Sequence, residues 1–240
     1  MLERFLSTAN ATRALCALRK LASHDISQWA LTGGFAIEIQ RLRLGCKPSV
    51  RSLNDIDFIT SSFDCIPQTL SDDFLFRHIH PFDPPGKTLL QFIDPDTALR
   101  IDVFRAYGAT MSRTSRLDLS FGTIQIVSLE DLVARTARLM LDIAHGAPVP
   151  SKHAVDLLRL LPMVHSAEVE AAWQDHRRPT HPLTFAEAST SLAALIPAHP
   201  KPAIDSHDFK NTEKVCPRCA PTSTFKLVDS KVVMSLLGHC

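Results

Sequence analysis

Residues 51–60 run Arg51-Ser52-Leu53-Asn54-Asp55-Ile56-Asp57-Phe58-Ile59-Thr60. Alternation from Asp55 onward predicts a strand with Ile56 and Phe58 on one face and Asp55, Asp57 and Ile59 on the other. Two carboxylates on one face repel, and a divalent cation such as Mg²⁺, which prefers oxygen ligands, relieves that repulsion. The plainer alternative is an edge strand carrying two solvated acids.

Upstream, the short apolar run Trp29-Ala30-Leu31-Thr32 enters Gly33-Gly34. It predicts a buried strand, a tight turn and a helix from Phe35 to about Leu44. Glycine lets backbone N–H groups approach a phosphate closely, and the helix N-terminus turns its positive end toward it. Thr32, Gly33 and Gly34 are therefore candidate triphosphate contacts; Arg51 either joins them or anchors the acidic loop. An earlier helix is expected from about Thr8 to Ser23, where apolar residues recur at three- and four-residue steps.

Downstream, Thr88–Ile93 and Leu99–Ala106 read as a hairpin around Asp94-Pro95-Asp96. Within it, Leu99-Arg100-Ile101-Asp102-Val103-Phe104 embeds a carboxylate in a β-like apolar run. Burying that charge alone costs on the order of several kcal/mol, so Asp102 must meet a metal or a cation. It is the third candidate metal ligand, and a carboxylate beside an attacking hydroxyl also serves as a general base. A strand over Phe121–Val127 leads to Ser128, a helix N-cap, with Asp131 completing a capping-box-like pair.

Only helical patterns follow, over about Leu129–Ala144, Ser151–Leu161, Ala167–His176 and Phe185–Leu195. The expected organisation is α+β: a mixed sheet flanked by helices over 1–128, a helical region over 129–196, and a linker with a cysteine-rich tail over 197–240.

Three segments together resemble the nucleotidyltransferase superfamily: Gly33-Gly34-x-Ala36, Arg51-x-x-Asn54-Asp55-Ile56-Asp57-Phe58, and Ile101-Asp102-Val103. Ser128-Leu129-Glu130-Asp131-Leu132-Val133-Ala134 and Lys152-x-x-x-Asp156-Leu157-Leu158 are similar to the helices of its AbiEii-type and minor nucleotidyltransferase branch. The resemblance runs from about Leu21 to Pro162. It implies a nucleotidyltransferase-like sheet, Mg²⁺ on Asp55, Asp57 and Asp102, and transfer of a nucleoside monophosphate from an NTP. In that branch the acceptor can be an RNA such as tRNA, with the protein a toxin opposed by an antitoxin protein; other branches modify small molecules or proteins. The chain departs from the branch at Thr136, where a lysine is usual, and at Lys152-His153, where the branch has Lys-Asp. Arg135, Arg138 or Lys152 would then have to meet phosphate or acceptor. The expectation from a different class is a catalytically inactive nucleotidyltransferase fold that binds a protein or RNA partner.

With 26 Lys+Arg against 25 Asp+Glu, no global field draws the chain onto nucleic acid or an anionic membrane. No apolar run approaches spanning length, so no membrane partner and a cytoplasmic location are expected. Three of the six cysteines crowd the tail. Cys216-Pro217-Arg218-Cys219, with Cys240 and His239 or His207, offers ligands for a structural Zn²⁺; a redox-active dithiol and unligated surface cysteines are the alternatives.

Overall fold

The computed structural model describes residues 1–80, 89–144 and 151–196. They fall into two compact units, Met1–Ala106 with Arg116–Ile126, and Tyr107–Ser115 with the residues from Val127 on. The linker and tail expected over 197–240, with His207, Cys216, Cys219, His239 and Cys240, lie outside the described residues.

The first unit runs α1 (Thr8–Leu21), β1 (Trp29–Thr32), α2 (Gly33–Arg43), β2 (Asp55–Thr60), α3 (Leu70–Asp73), β3 (Leu75–His80), β4 (Leu89–Asp94) and β5 (Leu99–Arg105). After a turn of 3₁₀ helix at Thr110–Arg113 come β6 (Ser115–Leu119) and β7 (Gly122–Ile126). The strands form one mixed sheet in the order β3-β4-β5-β2-β1-β7-β6, so the class is α+β with helices flanking the sheet. β2 pairs with β1 antiparallel and with β5 parallel, which makes it a central strand and removes the edge-strand alternative for Asp55 and Asp57. The β4–β5 hairpin forms as the sequence predicts.

Ser7 caps α1 by accepting the Asn10 N–H at 3.3 Å, and Ala11, Ala14, Ala17, Leu18 and Leu21 are buried. The helix is fixed to the hairpin by Lys20, whose Nζ lies 2.7 Å from the fully buried Asp94 carboxylate. In the sheet, Ile56 and Phe58 are fully buried, and Trp29 meets Phe58 at 5.9 Å between ring centroids. Phe74 and Phe92 meet edge-on at 5.1 Å. Each such side chain contributes about 1.5–3 kcal/mol on leaving water, so this apolar layer carries much of the stability of the unit.

The second unit contains α4 (Leu129–Ala144), α5 (Ser151–Leu160), α6 (Ser166–His176) and α7 (Phe185–Leu195), with α4 packed against the other three. Ser128 caps α4 as expected, accepting the Asp131 N–H at 3.1 Å. The Asp131 carboxylate, fully buried, is saturated with donors. It accepts from Arg113 Nε and Nη2 at 2.8 Å each, from Ser128 Oγ at 2.9 Å, from His176 Nε2 at 3.0 Å and from Thr110 Oγ1 at 3.1 Å. Burial works against its charge, but Arg113 and His176 prevail and hold the carboxyl far below its ordinary range. No helix among the described residues is long and apolar enough to cross a membrane.

Removing one partner from a buried, hydrogen-bonded ion pair strands the others. Asp131→Ala should therefore cost about 3 kcal/mol, read as a lower urea midpoint for loss of helical circular dichroism. A cost under about 1 kcal/mol would show that Arg113 and His176 find water or new partners instead.

Candidate active site

The sheet register places the predicted acids side by side. Asp57 on β2 is level with Thr32 on β1 and with Asp102 on β5, and Asp102 is level with Gln91 on β4. Cross-strand neighbours share a face, so Thr32, Asp57, Asp102 and Gln91 form a polar row across four strands. Asp55, two residues before Asp57, lies on the same face and is level with Arg100. One carboxylate oxygen from each of Asp55, Asp57 and Asp102 lies within 4.8 Å of the others.

The glycine corner abuts this row. Gly33 has φ +69°, and a β-carbon there would come within 1.9 Å of Asp57 Oδ2, so both backbone conformation and the closeness of the carboxylate require glycine. A β-carbon on Gly34 would lie 2.7 Å from Arg51 Nη1, which places that guanidinium against the first turn of α2. Arg51 is positioned by Glu38, its Nε donating at 2.7 Å to a carboxylate that is fully buried on α2 and also accepts the Ser49 N–H at 3.1 Å. Arg51 thus anchors its loop while standing at the glycine corner. Thr32 supplies no cap bond to α2, and its buried Oγ1 has no hydrogen-bond partner. A buried hydroxyl without a partner costs about 1–3 kcal/mol, and this one lies on the acidic face, level with Asp57.

Asp102 meets a cation. Arg100 donates through Nη2 to Asp55 Oδ2, and its Nε lies 3.0 Å from Asp102 Oδ1. That second approach is out of line for a hydrogen bond, since Arg100 Nε has no hydrogen-bond partner. Gln91 Nε2 donates to both Asp102 oxygens, at 3.1 and 3.2 Å. Burial pushes the Asp102 carboxyl up to about 7; Arg100 and Gln91 oppose the rise, whereas Asp57 and Asp55 add to it. Burial acts against the Arg100 charge, but Asp102, Asp55 and Asp57 more than restore it.

Every member of the expected set in the first unit is therefore brought to one face or one corner: Thr32, Gly33, Gly34, Arg51, Asp55, Asp57 and Asp102. The sequence reading missed Arg100, Gln91 and Glu38. Arg100 was accessible in principle, because strand alternation puts it on the face of Asp102 two residues later. Gln91 and Glu38 are single polar residues inside apolar runs, a weaker signal. Two arrangements in the second unit bear on the substitutes considered for the branch lysine. Thr136 is buried and bonds back to the Leu132 carbonyl at 2.7 Å, and Arg138 is buried, 4.6 Å from the Tyr107 ring. Arg138 thus packs on Tyr107 and lies 3.9 Å from the Asp142 carboxylate.

Oxygen donors this close, with an unpartnered hydroxyl beside them, suit a hard divalent ion. No family model and no curated protein matches the sequence. Among solved structures, the chain is similar to the antibiotic-resistance factor ANT(2″)-Ia, at 15% identity and TM-score 0.46 over 79% of this chain and 100% of that one. It is also similar to an antigenic nucleotidyltransferase-like protein from Paracoccidioides brasiliensis, at 14% identity and TM-score 0.38 over 83% of this chain and 96% of that one. JHP933 from Helicobacter pylori follows, at 13% identity and TM-score 0.42 over 98% of this chain and 93% of that one. Likenesses this distant add no weight to the site, whose chemistry is argued from its own geometry.

Two measurements check that geometry. Gly33→Ala should destabilise the chain by about 2 kcal/mol or more in chemical denaturation, because a left-handed residue and a displaced Asp57 are both imposed; a neutral substitution would contradict the close approach. In the metal-free chain, carboxyl ¹³C shifts should show Asp102 titrating near 7, mostly protonated below that pH and ionised above it. A midpoint under about 5 would mean that the charged form is better supported than its burial implies.

Proposed function

We propose that this chain is a metal-dependent nucleotidyltransferase that moves a nucleoside monophosphate from an NTP to an acceptor hydroxyl. The observation that carries the reading is the convergence of Asp55, Asp57 and Asp102 within 4.8 Å, beside a glycine corner that holds an unpartnered Thr32 hydroxyl. Asp55, Asp57 and Asp102 would hold Mg²⁺. When bound, the ion neutralises charge gathering on the phosphate oxygens and lowers the pKa of the attacking hydroxyl.

The chain's own groups account for the remaining work. Backbone N–H groups of Gly33 and Gly34, at the N-terminus of α2, orient the triphosphate, and Thr32 Oγ1 and Arg51 add a hydroxyl and a positive charge at the same corner. The acceptor oxygen forms a bond to the α-phosphorus as the bond between that phosphorus and the oxygen bridging to the β-phosphate breaks, so pyrophosphate leaves with the bonding pair. The hydroxyl proton passes to Asp102, a carboxylate on the same face as Asp55 and Asp57, acting as general base. The resemblance to the AbiEii-type branch supports an RNA acceptor such as tRNA and a protein antitoxin. Protein and small-molecule acceptors remain alternatives, because no residue of the site selects among them.

A second reading, a catalytically inactive binding module, is favoured by one observation: Arg100 already contacts Asp55 and Asp102. Incubation with labelled NTPs, Mg²⁺ and total RNA or protein extract separates the two. Transfer of label to a macromolecule is expected, and Asp57→Asn should lower it at least about 100-fold while leaving the circular dichroism spectrum unchanged. Label transfer undiminished in that variant would refute the assignment of Asp57.

A further inference from the structure

We infer that Arg100 is a displaceable counterion: its guanidinium holds the acidic face together in the metal-free chain and yields that place when a divalent ion enters. The inference rests on the metal-holding reading of Asp55, Asp57 and Asp102 and assigns the apo form of that site.

Arg100 sits on β5 level with Asp55 and two residues from Asp102, so its side chain reaches both acids from one position. It takes Asp55 Oδ2 through Nη2 and approaches Asp102 Oδ1 through Nε. These carboxylates are among the three that offer oxygens within 4.8 Å of one another, so guanidinium and metal ion draw on the same acids and, as like charges, repel each other there. The arginine is also only partly enclosed. Its approach to Asp102 is out of line, and both its side chain and that of Asp55 are partly exposed, at 22% and 35%, leaving a path outward. Asp102 has separate support, because the neutral Gln91 amide donates to both of its oxygens. Departure of Arg100 therefore leaves Asp102 still aimed at the site, and an arriving ion finds its ligand oriented.

The test uses the full chain without nucleotide and Mn²⁺ alone as the probe, followed by calorimetry or electron paramagnetic resonance. Arg100→Gln removes the competing charge, and Arg100→Lys keeps it. Arg100→Gln should bind Mn²⁺ at least about tenfold more tightly than the wild type, with Arg100→Lys close to wild type. Without metal, Arg100→Gln should also melt lower than the wild type, and saturating Mn²⁺ should close that gap. Equal or weaker Mn²⁺ binding by Arg100→Gln would overturn the displacement and leave the metal-holding reading intact; absence of binding by every chain would overturn both. If Arg100→Gln does not fold, the Arg100 Nε–H resonance of the wild type decides. It should shift toward solvent-exposed values and exchange faster as the ion binds, and an unmoved resonance at saturating ion would overturn the inference.

Discussion

Like charges set side by side on the central strands of a sheet are the constraint around which the rest of the first unit is arranged. The β2–β5 register makes Asp57 and Asp102 direct neighbours and puts Asp55 on the same face. At such spacing each pair of carboxylates repels by roughly 1–4 kcal/mol, depending on how much water reaches them. No apolar packing on the opposite face removes that cost; only positive charge, hydrogen-bond donors or protons do. The structure uses all three: the Arg100 guanidinium, the Gln91 amide and the upward shift of Asp102. Even the glycine corner is tied to this constraint, because Asp57 fills the space where a Gly33 β-carbon would stand.

The strands that bear the acids were legible because their signal is local. Asp55 to Thr60 alternates within six residues, and the β4–β5 hairpin pairs two adjacent apolar runs about a short turn. The Gly33-Gly34 corner was legible because glycine has a strong conformational meaning after a buried strand. β3 and β6 were not read. Leu117 is the one buried residue of β6, which lies at a sheet edge and carries Arg116 and Asp118. β3 lies at the other edge and holds one arginine and two histidines in six residues. Edge strands hide little surface, so their composition is free to look like a loop.

Arg100 shows a different limit. Asp102, embedded in an apolar run, needs a metal or a cation, and the residue that answers this need sits only two positions away. Its second partner, Asp55, lies 45 residues upstream and becomes a neighbour only through parallel pairing of β2 with β5. Alternation within one strand states which face a side chain takes, not which strand lies beside it. Glu38 illustrates the same limit: its burial within α2 has a rationale only once the loop bearing Ser49 and Arg51 folds back over the helix.

The chain contains an internal standard for what a permanent buried ion pair looks like. Asp131 is fully buried, takes both arms of Arg113 in aligned bonds and fills its remaining capacity with Ser128, Thr110 and His176. The Asp131 carboxylate itself has no capacity left for a ligand, and its carboxyl is held far below the ordinary range. The acidic face of the sheet differs on each count. Arg100 makes one aligned bond and one misaligned approach, Asp55 stays partly exposed, and the Asp102 carboxyl is raised rather than lowered. One carboxylate is thus saturated by aligned partners, whereas Asp102 keeps a raised carboxyl in a cluster beside the Thr32 hydroxyl. Buried polar groups without a partner weaken a fold, and the two on this face, Thr32 Oγ1 and Arg100 Nε, stand beside the acids that the proposed metal site needs.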